Sequence, residues 1–119
     1  MIVSWMTTNQ CNLKCVHCYQ DAEEATDKEL SCEEGKKMID EIARAGFKVM
    51  IFSGGEPLVR LGVVDLVRAI AHTPGIENVS MTTNGVLLPK MAADLKEAGL
   101  SRVNISLDTL DPAQFRQIT

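Results

Sequence analysis

The chain has 119 residues and a mass of 13.0 kDa, the size of one domain. Twelve Lys and Arg stand against sixteen Asp and Glu, a net charge of −4, with 45% hydrophobic and 24% charged residues. That balance excludes intrinsic disorder, and the negative charge argues against a protein built to grip nucleic acid or an anionic membrane. Aromatic residues make up only 4% of the chain, which also argues against a stacking platform for single strands.

No run of about 18 apolar residues is written in the sequence, so no transmembrane helix is expected. The opening MIVSWMTTNQC lacks the basic and long apolar regions of a secretory signal. The expected compartment is therefore the cytoplasm, where thiols stay reduced. Of the four cysteines, three fall within eight residues. In a reducing compartment such a cluster reads as metal binding or catalysis, not as a disulfide framework.

Four short segments read as strands: Ile2 to Thr8, Lys48 to Ser53, Asn78 to Thr83 and Arg102 to Leu107. Between them lie three helical patterns. The first opens at Ser31, a cap with Glu34 three residues on, carries Met38, Ile39, Ile42 and Ala43 as its apolar stripe, and stops at Gly46. The second runs from about Val63 to Ala71, buries Leu66, Val67 and Ile70, and ends at Thr73-Pro74-Gly75. The third opens with Pro89 in its first turn and closes at Gly99, a residue suited to the left-handed position after a helix. A fourth begins at Asp111-Pro112-Ala113-Gln114.

Strand–helix alternation predicts an α/β fold with a parallel sheet and right-handed crossovers. A capping signal followed by only five residues is a poor ending for such a domain, so the reading is an incomplete barrel or open sheet; the alternative is a small complete four-stranded domain. Chemistry in parallel α/β folds sits at the carboxyl ends of the strands. Those ends are followed here by residues 9–18, by Gly54-Gly55-Glu56-Pro57, by Asn84-Gly85 and by Asp108, so all four should face one rim.

Cys11, Cys15 and Cys18 stand in a C-x3-C-x2-C spacing on the segment after the first strand. Three soft thiolates so close can converge on zinc, Cu(I) or an iron–sulfur cluster. A structural zinc ion needs a fourth ligand, for which His17 and Cys32 are the candidates. Three thiolates without a good fourth point instead to a [4Fe–4S] cluster with one iron open to a small chelating molecule.

The cysteine spacing, its place after the first strand, and Gly54-Gly55-Glu56-Pro57 after the second resemble the radical S-adenosylmethionine superfamily. The likeness covers essentially the whole chain and implies about half of a partial (β/α)6 barrel. It implies that Cys11, Cys15 and Cys18 ligate three irons of a [4Fe–4S] cluster and that S-adenosyl-L-methionine chelates the fourth. His17 would take the usually aromatic position beside the adenine. Gly54 and Gly55 would let the backbone approach the methionine end, with Glu56 helping to position its amino group. Asn84 and Ser106 match positions near the cofactor. Reductive cleavage of the cofactor would give a 5′-deoxyadenosyl radical that takes a hydrogen from substrate.

Other readings of these residues remain open at this level. Gly54 to Pro57 alone reads as a tight turn, Thr82 to Gly85 as a strand end with a turn, and Ser106 as an ordinary strand residue. His72 reads as a helix-end residue, Asp108 as a strand-end cap, and Cys32 as structural or incidental. The first part of the chain, through KVMIFSGGEPLVR, resembles radical enzymes of haem and haem d1 biosynthesis. The second, from NVSMTTNG onward, resembles the GTP 3′,8-cyclase of molybdenum cofactor biosynthesis. A chimaera and a divergent member both account for this. Positions that are basic on the first two strands of the cyclase are here Ser4, Val49 and Ile51, none of which neutralises phosphate. The expected partners are a small-molecule substrate, tetrapyrrole or nucleotide, and a reductant such as flavodoxin or ferredoxin. A second copy pairing along the fourth strand's edge is also expected, as a homodimer. A non-catalytic electron-transfer module and a zinc-stabilised interaction domain are the alternatives.

Overall fold

The computed structural model describes residues 2–8, 29–106 and 110–114. Cys11, Cys15, His17, Cys18 and Asp108, all singled out above, lie outside the described residues.

The described chain runs β1 (Ile2–Thr8), α1 (Cys32–Arg44), β2 (Val49–Gly54), a 3₁₀ turn (Pro57–Val59), α2 (Val63–Ala71), β3 (Asn78–Thr83), α3 (Leu88–Ala98) and β4 (Arg102–Ile105). The four strands form one sheet in the order β1-β2-β3-β4, and every neighbouring pair is parallel. This is the expected α/β alternation. Sequential parallel order with right-handed crossovers puts the helices on one face. Accordingly Met50, Phe52, Val79 and Met81 from the strands pack with Ile39, Leu66, Val67, Ile70 and Leu95 in a single core. At roughly 25 cal/mol per Å² of apolar surface, that layer is the main source of stability. β1 and β4 are the edges of the described sheet.

The local signals act as the residues require. Ser31 caps α1, its Oγ accepting the Glu34 N–H at 3.1 Å. α2 spans Val63–Ala71 as read, and α3 ends at Gly99 in the left-handed conformation. Asp111 Oδ1 accepts the Ala113 N–H at 2.8 Å, and a helical turn follows over 112–114. β2 runs one residue further along than the expected Lys48 to Ser53 at both ends, and the Lys48 carbonyl just before it accepts the Glu77 and Asn78 N–H groups at 2.8 and 3.2 Å, which ties its start to β3.

One feature of α1 has no local explanation. Gly35 costs helix propensity but sits against Trp5, and a Cβ there would come within 2.5 Å of the indole ring. The missing side chain is what lets the helix lie on β1. Trp5 then packs on Phe52 at 6.0 Å between ring centroids, with the Arg60 guanidinium 5.3 Å from its own.

Candidate functional site at the carboxyl rim of the sheet

The site is built from four strand ends. β1 finishes in a bulge: Met6 pairs with Ser53, Thr8 pairs with Gly54, and Thr7 between them has no place in the register. Thr7 and Thr8 are both buried, and Thr7 Oγ1 donates to the Ser53 carbonyl at 3.2 Å. Gly54, which closes β2, has φ +123°, a conformation that side-chain-bearing residues rarely adopt. A Cβ on it would overlap the Thr8 carbonyl oxygen. That oxygen instead accepts the Gly55 N–H at 2.9 Å. The double glycine thus brings the turn after β2 against the very end of β1.

Glu56 follows and turns inward. It is only 1% exposed, and the protein itself takes up both carboxylate oxygens. Oε1 accepts the Leu58 N–H at 3.2 Å and the Thr83 hydroxyl at 2.5 Å; Oε2 accepts the Asn84 N–H at 2.7 Å. The first bond caps the 3₁₀ turn, and the other two tie that turn to the end of β3. Three donors, two of them backbone, are the compensation a buried carboxylate needs. Thr83 Oγ1 also accepts the Gly85 N–H at 3.1 Å, and Asn84 Oδ1 accepts the Val86 N–H at 3.0 Å in a side-chain turn. Ser106 is exposed just past β4, with its N–H donated to the Thr83 carbonyl at 2.9 Å.

Three further hydrogen bonds join the end of β1 to Glu29, Leu30 and Arg60. Thr8 Oγ1 donates to Glu29 Oε1 at 3.0 Å. The Arg60 guanidinium donates to the Thr7 carbonyl with one amino group and to the Leu30 carbonyl with the other.

Of the residues singled out in sequence, Gly54, Gly55, Glu56 and Asn84 are therefore brought into one bonded unit, with Ser106 attached to it through Thr83. Thr8, Glu29, Arg60 and Thr83 belong to the same unit, and sequence reading missed them. His72 lies elsewhere, at the end of α2. Its Nδ1 is 2.7 Å from the Arg68 carbonyl, and with Lys36, Asp65 and Arg68 it lines an open groove beside the helices. Cys32 is the first residue of α1 and half-buried, its Sγ 4.0 Å from the Leu61 carbonyl oxygen. Among the described residues no group of three or more His, Cys, Asp or Glu could hold a metal ion, and no helix is long and apolar enough to cross a membrane.

Curated relatives match over nearly all of this chain. A GTP 3′,8-cyclase of Petrotoga mobilis is 48% identical over 115 residues, covering 94% of this chain and 36% of the relative. A probable GTP 3′,8-cyclase of Archaeoglobus fulgidus is 47% identical over 116 residues, covering 94% and 37%. The likeness to these enzymes thus extends over both parts of the chain, which spans little more than a third of their length. Among solved structures, BtrN in complex with AdoMet and 2-DOIA superposes with a TM-score of 0.76 at 20% identity, covering 98% of this chain and 49% of BtrN. HydG, a maturase of the [FeFe]-hydrogenase, superposes with a TM-score of 0.75 at 19% identity, covering 98% of this chain and 28% of HydG. The fold is the one shared by those barrel-like enzymes, met here over part of their length. The profile of the radical SAM superfamily matches residues 5–119, and with a sheet rim that joins Gly54-Gly55-Glu56-Pro57 to the end of β1, this chain belongs to that superfamily.

Proposed function

We propose that the chain carries the cluster- and S-adenosylmethionine-binding units of a radical enzyme of cofactor biosynthesis. The single observation that supports this best is the Gly55 N–H bonded to the Thr8 carbonyl at 2.9 Å. It sets the double-glycine turn beside Thr8, the last residue of β1 and three positions before Cys11.

The donor set fits the group. Cys11, Cys15 and Cys18 begin three residues after β1 ends, and three thiolates suit a [4Fe–4S] cluster with an iron left for a chelating ligand. When bound, the cluster and S-adenosyl-L-methionine together supply reductive cleavage of the sulfonium carbon–sulfur bond, and with it a 5′-deoxyadenosyl radical. The protein's part is to hold and shield. Gly54 and Gly55 offer backbone with no side chain in the way of the methionine end. Glu56 acts through the two backbones it ties, keeping that turn at a fixed distance from Asn84. Ser106 and Asn84 stand at the neighbouring strand tips, and His17 is assigned to the adenine by family resemblance.

The substrate is a small molecule, and the relatives' name favours a nucleotide over a tetrapyrrole. Ser4, Val49 and Ile51 alternate along β1 and β2 with the core residues Val3, Met50 and Phe52, so they lie on the face away from the helices. None of them is cationic. A triphosphate held there would draw its neutralising charge from elsewhere than β1 and β2. The electron comes from a reductant of the flavodoxin or ferredoxin class, in the cytoplasm.

Anaerobic reconstitution with iron and sulfide tests the reading. About four irons per chain are expected, with a spectrum that changes on adding S-adenosylmethionine and 5′-deoxyadenosine released on reduction. A cluster blind to S-adenosylmethionine would make the chain an electron-transfer module. Colourless protein with one tight zinc would make it an interaction domain.

A further inference from the structure

We propose that Arg60 is the positioning residue of the cysteine-bearing segment. It holds the two stems of that segment together and fixes both to the Gly-Gly-Glu-Pro turn. The inference rests on the cluster-binding reading above, and it goes further by assigning the mechanical link between the two cofactor-holding elements.

Thr8 is the last residue of β1 and Glu29 the next described residue, and the sequence between them contains Cys11, Cys15 and Cys18. Arg60 stands at the end of the 3₁₀ turn that follows the double glycine. Its two amino groups donate to the carbonyls of Thr7 and Leu30, one on each stem. Thr8 Oγ1 to Glu29 Oε1 closes the neck a second time, and Gly55 N–H to the Thr8 carbonyl joins it to the turn. The guanidinium lies 5.3 Å from the Trp5 ring centroid, which limits the directions it can take. A planar fork can serve two carbonyls at a fixed separation; an ammonium group, a single point of charge, holds no such geometry. A neck of fixed width sets where the three thiolates start and end relative to the turn. Substitutions behind metal ligands typically cost about 10–100-fold in metal affinity.

The test compares the wild-type chain with Arg60→Gln, Arg60→Lys and Leu95→Val. The last trims the core at α3, which packs on α2. Each protein is reconstituted anaerobically and followed for iron loss to a chelator, for its spectral response to S-adenosylmethionine, and for exchange of the Gly55 amide, which bonds the Thr8 carbonyl. Arg60→Gln is expected to lose iron about tenfold faster, to need about tenfold more S-adenosylmethionine, and to lose protection at the Gly55 amide while the amides within β2 and β3 stay protected. Arg60→Lys is expected to move the same way by about threefold, and it replaces the Gln variant if that one does not fold. Leu95→Val is expected to lower the melting temperature without changing iron loss. If wild type holds no cluster, the functional reading and this inference both fall. If wild type holds one and the Arg60 variants follow wild type, or shift only in step with their melting temperature as Leu95→Val does, this inference alone falls. Failure of both Arg60 variants to fold would also overturn it, by making Arg60 a general stability residue.

Discussion

Replacing Glu56 with Gln tests whether the rim is held by a carboxylate. The side chains are nearly isosteric, so no cavity opens. The amide has one acceptor oxygen where the carboxylate has two. Its best placement keeps the oxygen at the Oε1 site, which serves both the Leu58 N–H and the Thr83 hydroxyl. The amide nitrogen then faces the Asn84 N–H, donor against donor, in place of a 2.7 Å bond to a charged oxygen. Losing a hydrogen bond to a charged group costs about 1.5–3 kcal/mol, and a buried unsatisfied N–H about 1–3. The two overlap, so about 3 kcal/mol is expected. A chain of this length gains about 0.25 kcal/mol per degree of unfolding entropy, so the midpoint should fall by about 12 °C. Circular dichroism melts of the wild type, Glu56→Gln, Thr83→Val and the double variant read this directly. The two sites share a bond, so the double variant should lose about 1 kcal/mol less than the sum of the singles. A Glu56→Gln midpoint within about 4 °C of wild type, with additive losses, would refute the argument that this carboxylate joins the turn to β3.

Four other substitutions follow from the same structure. Gly54→Ala places a Cβ at φ +123° against the Thr8 carbonyl and should cost about 2–4 kcal/mol in thermal melts, with faster amide exchange at Gly55. Gly35→Ala gains helix propensity but pushes a methyl into Trp5; a net loss of about 1 kcal/mol is expected, with a shift in the emission of this single tryptophan. Ser31→Ala removes the cap on the Glu34 N–H and should cost about 1 kcal/mol, leaving Trp5 emission unchanged. Cys15→Ser should leave the melting curve of the iron-free chain within about 0.5 kcal/mol of wild type while abolishing the brown absorption after reconstitution.

The legible parts of the fold were those with short-range causes. Ser31 with Glu34, Pro89 near the start of α3 and Gly99 at its end act within four residues of themselves. The β-branched and apolar content of β1 and β3 is equally local, and those strand bounds match the structure. The gathering of Gly54, Glu56 and Asn84 was legible too, because topology alone carries the ends of parallel strands to one rim. The direction of Glu56 was not. Its partners at Thr83 and Asn84 lie 27 and 28 positions on, and two of its three donors are backbone N–H groups that every residue but proline shares. Arg60 was harder still. It is bonded to two carbonyl oxygens, 53 and 30 positions back, and carbonyls leave no mark in a sequence. The apolar Pro57-Leu58-Val59 that follows Glu56 is the one local hint that this acid is drawn inward.

The bonds of the rim run in a continuous series across the sheet. Leu30 and Thr7 meet through Arg60, Thr8 meets Gly55, Glu56 meets Thr83 and Asn84, and the Thr83 carbonyl meets the Ser106 N–H. Together the links tie β1, the turn after β2, the end of β3 and the end of β4 to one another, beyond the core of Met50, Phe52, Val79 and Met81. Hydrophobic contacts are non-directional and fix the strands only to within the slack of side-chain packing. Hydrogen bonds between strand tips remove that slack where loops depart, because their geometry is narrow. A site assembled from separate βα loops needs that second kind of order, since the spacing of its ligands is set by the loops and not by the core. It follows that substitutions in the core should lower the melting temperature with little change in ligand geometry, whereas substitutions at the rim should disturb ligand geometry together with whatever stability they cost.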